Sequence, residues 1–101
     1  MAMSPIAVTR TMNEMGQSIG TWRRLRELTV AEAADRAGVS VSTLQRLEHG
    51  QGGTVENLLR VARALGILDQ VIASVDPMST DLGRLRAGQA LPARVRRKEQ
   101  R

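Results

Sequence analysis

Apolar residues recur along this chain at intervals of three and four, broken by glycines and by Ser or Thr at regular places. That period belongs to helices, and no stretch alternates as a half-buried strand does. Met12, Met15, Ile19, Trp22 and Leu25 predict a helix from about Asn13 to Leu28, with Gly16 and Gly20 interrupting it. The first helix of the core is therefore expected to begin near Gln17, after a frayed N-terminal arm. Thr29, with Glu32 three residues on, has the form of a capping box and predicts a second helix to about Ala37. Gly38 then supplies a positive φ, Val39 turns inward, and Ser40 caps a third helix that ends at His49 and Gly50.

Thr54 caps a fourth helix. Leu58, Leu59, Val61, Ala62 and Leu65 form its apolar face, and Gly66 stops it. A fifth runs from about Leu68 to Val75, with Ile67, Leu68, Val71, Ile72 and Val75 directed inward, until Asp76-Pro77 breaks it. Ser79 or Thr80 can cap one more short turn through Leu85. From Ala87 the pattern is lost. The chain so divides into an N-terminal arm (1–16), a helical domain (17–76) and a C-terminal tail (77–101).

Residues 29–50, TVAEAADRAGVSVSTLQRLEHG, stand out within this series. Two short helices joined by about three or four residues cross near a right angle. The second stands proud of the first, and its start can enter a major groove of DNA. Leu44 and Leu47 mark its inner face.

Composition narrows the class. The chain has 101 residues, 42% of them apolar, with one Trp and no Phe, Tyr or Cys. Ala, Leu and Val must do the packing. The lack of stacking rings argues against recognition of single strands or RNA loops. Thiolate metal sites and disulfides are excluded. No signal peptide and no run near the ~18 residues of a membrane span is seen, so the cytoplasm is the expected place. The net charge of +5 is uneven. Residues 1–83 carry eight Arg against nine acids, and residues 84–101 carry six Arg and one Lys against Glu99. The tail is the basic part.

Catalytic signals are lacking. The acids show no paired spacing in an apolar pocket, and there is no phosphate loop and no Ser/His/Asp arrangement. His49, the single histidine, has no second ligand nearby, and a C-terminal helix position explains it. No cofactor, no metal and no enzymatic activity are expected.

Residues 19–75 resemble the phage-repressor and Cro-like helix-turn-helix regulators, the XRE family. The matching pieces include Ile19-Gly20, Arg23, Leu28-Thr29, Glu32, Ala34, Ala37-Gly38-Val39-Ser40, Ser42-Thr43-Leu44, Arg46-Leu47-Glu48, Gly50 and Thr54 through Gly66. The resemblance implies an all-α, compact five-helix lambda-repressor-like domain with a basic, flexible C-terminal tail. It implies base contacts from Val41, Ser42, Gln45 and Arg46 on the second helix of the motif. Arg can fork onto guanine and Gln onto adenine, and Val41 can meet a thymine methyl. Phosphate contacts are expected from Thr29, Arg36, Ser40, Thr43, Thr54 and Asn57, with an ordinary local hydrogen bond as an equal reading for Thr43. It also implies a structural ion pair between Arg23 and Glu48. One position departs from the family, where Gln often follows the opening Thr and bonds a phosphate. Here it is Val30.

The implied partner is double-stranded DNA, bound as a homodimer. Two-fold related helices then meet successive major grooves about 34 Å apart. Leu68, Val71, Ile72 and Val75 on the fifth helix are the candidate dimer surface; closing the monomer core is the competing reading. A weaker resemblance, in the fifth helix and basic tail, is to HipB-like antitoxins that accompany HipA-like kinase toxins. It implies an alternative in which the chain neutralises such a toxin and autoregulates its operon. For the tail itself three readings stand: a solvated end, a DNA arm, or a segment docking on a protein through Leu82, Leu85 and Leu91. Deletion of residues 87–101 tests the DNA-arm reading. Lost phosphate contacts flatten the salt dependence of DNA binding, whereas an unchanged slope removes the DNA-arm reading.

Overall fold

The computed structural model describes residues 4–89, so the tail beyond Gln89 lies outside the described residues, as does the expectation of its flexibility. Six α-helices and one 3-10 turn follow in order: α1 (Ile6–Leu25), α2 (Val30–Ala37), α3 (Val41–Glu48), α4 (Val55–Leu65), α5 (Leu68–Val75), η1 (Pro77–Ser79) and α6 (Asp81–Arg86). No strand occurs among the described residues. Five helices therefore form the expected series, and the short turn capped by Thr80 is the sixth.

Side-chain caps set the starts. Thr29 accepts the Glu32 N–H and its own N–H donates to the Glu32 carboxylate at 2.8 Å, a closed capping box. The Thr29 N–H, then its hydroxyl, with Arg36 adding to them, hold the Glu32 carboxyl below its usual range. Its contribution to α2 is complete above the ordinary carboxylate range and is lost as pH falls through that lowered value. Ser40 and Thr54 cap α3 and α4 through the N–H groups of Thr43 and Asn57. At the other end of α2, Gly38 takes φ 71°, ψ 32°. Its N–H and that of Val39 return to Asp35 and Ala34 carbonyls, closing a Schellman turn.

Both ends of the first helix differ from the periodicity. It starts at Ile6, not near Asn13 or Gln17, so most of the segment expected as an arm is helical. Its glycines do not interrupt it, because they serve packing. A Cβ on Gly16 would lie 2.5 Å from the carbonyl oxygens of both Leu47 and Glu48, so only glycine lets α1 approach the end of α3. The helix stops at Leu25, short of Leu28, in a turn where Glu27 takes φ 58°. A left-handed Glu costs about 1–2 kcal/mol and leaves no mark in a sequence read for glycines.

The core is Ile19, Leu28, Ala33, Ala34, Ala37, Leu44, Val61 and Leu65, drawn from α1 to α4. Leu44 is wholly buried, and Leu47 packs half-buried beside it. α5 contributes no buried residue. Ile72 and Val75, expected to point inward, are 58% and 81% exposed, because α5 packs mainly on α4, with η1 beside it, and that side of α5 is uncovered. Leu59 on α4 is exposed for the same reason.

Gly16→Ala forces the α1–α3 contact apart. It is expected to destabilise the fold by about 2–3 kcal/mol, an overpacking cost, in urea unfolding. A loss below about 0.5 kcal/mol, the range of ordinary surface substitutions, contradicts the close approach.

Candidate nucleic-acid interface

α3 is eight residues long, too short to hold itself in water. Three anchors fix it. Leu44 seats its inner face in the core. Its final carbonyls rest against Gly16. Arg23 on α1 forks onto Glu48, with Nε to Oε2 at 2.8 Å and Nη2 to Oε1 at 3.1 Å. Arg23 Nη1 also donates to the Leu28 carbonyl at 3.0 Å, tying in the α1–α2 corner. Only 14% and 11% of the two side chains remain exposed. The bonds to Glu48 raise the Arg23 guanidinium further above its usual range.

With the inner face so held, Val41, Ser42, Gln45 and Arg46 are all exposed on the outer one. Ser42, Gln45 and Arg46 make no side-chain hydrogen bond or ion pair among the described residues. Their donors and acceptors are open to a ligand, and the backbone needs no rearrangement to present them.

The six residues expected at phosphates fall into two groups. Thr29, Ser40 and Thr54 are exposed caps whose hydroxyl oxygens already accept a backbone N–H. Ser40 also donates to the Thr43 hydroxyl at 2.9 Å, so half-buried Thr43 is joined to the local cap. Asn57 is half-buried and its backbone completes the Thr54 cap. Arg36 is exposed on the last turn of α2, beside Glu32 in the same helix. Val30, in the place of the family's phosphate-binding Gln, packs partly against the core. His49 is the exposed C-cap of α3. Among the described residues no group of three or more His, Asp or Glu is placed to hold a metal ion.

One stabilising contact had no signal in the sequence. Arg26 Nε donates to the Leu65 carbonyl at 2.9 Å, capping the end of α4, while its guanidinium lies 5.6 Å from the Trp22 ring centre. Arginine near a helix end is too common to foretell a bond to a residue so far along the chain.

The family model described as helix-turn-helix matches residues 19–69. The match takes in the whole of α2, α3 and α4 with the last third of α1. No curated protein and no solved structure matches the chain. No described helix is long and apolar enough to cross a membrane.

Removing one partner of the Arg23–Glu48 pair leaves a charge half-buried and unmatched. Glu48→Ala and Arg23→Ala are each expected to cost about 2 kcal/mol in chemical unfolding. The double variant Arg23→Met/Glu48→Leu is expected to regain most of that loss. A double variant as unstable as the sum of the singles contradicts the coupling.

Proposed function

The chain belongs to the helix-turn-helix family of XRE type, whose members are DNA-binding transcription regulators, and from that premise we propose that it reads operator DNA with α3 and represses by occupying it. The observation that carries the reading is the division of α3. Leu44 and Glu48 are committed to the fold, while Ser42, Gln45 and Arg46 are exposed and uncommitted. Arg46 suits the paired acceptors of guanine, and Gln45 the acceptor and donor of adenine. Val41, at the helix start, offers a thymine methyl an apolar contact. Thr29, Arg36, Ser40, Thr43, Thr54 and Asn57 are proposed to set the register through phosphates, with the N–H groups at the helix starts assisting. Phosphate contacts of this kind place the helix, and base contacts choose the sequence.

A single eight-residue helix spans few base pairs, so the reading includes a homodimer on a two-fold operator. The uncovered side of α5, with Ile72 and Val75, supports a second surface beyond the DNA-reading one. Occlusion of a promoter then needs no chemistry and no cofactor. The site of action is the cytoplasm. The antitoxin alternative draws on the fifth helix and on a tail that lies largely outside the described residues, and no observation here favours it.

Selection from a random duplex pool at near-physiological salt tests the proposal. The expected result is a palindrome with half-sites about one helical turn apart. Arg46→Ala is then expected to weaken binding by about 1–3 kcal/mol and to relax the choice at one base pair of each half-site. Full retention of affinity and sequence choice in that variant removes α3 as the reading helix.

A further inference from the structure

Charge is shared unevenly between the folded helices and the end of the chain. Residues 4–89 carry ten arginines against nine acids. Three of those arginines are already matched: Arg23 by Glu48, Arg60 by Glu56 and Arg84 by Asp81. Arg26 is held between the Leu65 carbonyl and the Trp22 ring. The seven arginines outside these ion pairs share the described residues with six acids outside them. Residues 90–101 carry four arginines and Lys98 against Glu99 alone. Four of the chain's five net positive charges therefore belong to its last twelve residues.

The shortage of cations is greatest in the segment proposed to read the duplex. Residues 29–50 hold two arginines, Arg36 and Arg46, against Glu32, Asp35 and Glu48. The Glu32 carboxyl is held below its usual range, so it is an anion at neutral pH. The first turn of α4 adds Glu56, tied to Arg60, and no free cation. The caps Thr29, Ser40 and Thr54 bring hydroxyls without charge. A duplex presents one negative charge per about 1.7 Å of its axis. A face with so little net charge selects among base edges once in contact, but it draws such a polyanion weakly from a distance.

We propose that residues 90–101 bind phosphates of the duplex that α3 reads and supply most of the salt-dependent affinity, while α3 supplies the choice of sequence. The assignment rests on charge complementarity. Five cations fall within the eight residues 94–101, and their counterpart is a polyanion that the folded domain leaves almost unneutralised. Leu91 and Val95 are the only large apolar residues of the segment, and it has no aromatic one. It therefore carries little that would anchor it in a protein groove or a bilayer. Its length fits as well. The segment reaches at most about 40 Å beyond Gln89, more than the roughly 34 Å of one duplex turn. The inference rests on the DNA-reading proposal and names what gives that reading its charge.

The test uses the full-length chain, with Arg94→Gln, Arg96→Gln, Arg97→Gln and Lys98→Gln combined in one variant. Fluorescence anisotropy follows its binding to the selected operator and to an unrelated mixed-sequence duplex between about 50 and 200 mM salt. The variant is expected to lower the slope of log K against log salt by about 3 to 4 for each chain bound. Across that range it then loses about a hundredfold less affinity per chain than the unmodified protein. Its preference for operator over unrelated duplex is expected to stay the same. Arg94→Lys, Arg96→Lys and Arg97→Lys together are expected to keep the full slope, because the segment acts by charge. An unchanged slope in the Gln variant overturns the proposal and turns attention to a protein partner for the segment. A slope lost equally in the Lys variant overturns it in favour of specific guanidinium contacts. A changed operator preference in the Gln variant also overturns it, since the segment would then read bases. If pool selection returns no sequence while the Gln variant still loses slope on the mixed-sequence duplex, the operator reading fails alone. A selected operator that the Gln variant binds with the full slope sinks the charge assignment alone.

Discussion

The contact between α1 and the end of α3 sets the direction in which α3 faces. α3 has eight residues and one fully buried side chain, so little within it determines how it sits. Gly16 removes the volume that would hold α1 away from the α3 carbonyls. Arg23 then fixes rotation about the contact, because a forked guanidinium meets a carboxylate in a plane and at two points. Its third bond, to the Leu28 carbonyl, links the same guanidinium to the corner that begins α2. One arginine therefore relates three helices. Its value lies in orientation more than in net stability, since a half-buried pair gives back much of its attraction in lost hydration.

The short helices depend on their ends. α2, α3 and α4 each begin at a hydroxyl cap, and α2 and α4 finish at a glycine that turns the chain back on its own carbonyls. Buried alanines at 33, 34 and 37 let α2 lie close against its neighbours, which suits a core with no Phe or Tyr. Burial falls away after α4. α5, η1 and α6 contain no buried residue, so this end of the described chain holds the least stability and is expected to open first. Ile72, Val75, Leu82 and Leu85 are exposed there.

The chemistry of recognition is modest by comparison. α3 offers one guanidinium, one amide, one hydroxyl and one branched apolar side chain outward. Nothing in the described fold competes for the first three, so a ligand would meet their donors without first breaking internal bonds. Val30 shows the opposite use of a position: it packs toward the core and gives no polar group to a phosphate. On the proposed reading, the domain's own affinity for the DNA backbone falls to the exposed caps and to Arg36.

The sequence by itself determined the helices from Thr29 onward. Caps and glycine stops are local chemistry, written in residues three or four apart, and Ser40, Gly38, Thr54, Gly66 and Asp76-Pro77 bound the helices where their types require. It also separated Leu44 from Gln45 and Arg46, because helical spacing assigns faces without reference to neighbours. Tertiary structure alone decided the rest. Gly16 and Gly20 look like breaks until α3 lies against them; a cost of about 1 kcal/mol per glycine in a helix is repaid by a contact between residues some thirty positions apart. The turn at Glu27 is left-handed without glycine, and Arg26 caps a distant helix. Ile72 and Val75 have the periodicity of core residues, yet they are exposed, because periodicity says which residues share a face and not whether anything covers it.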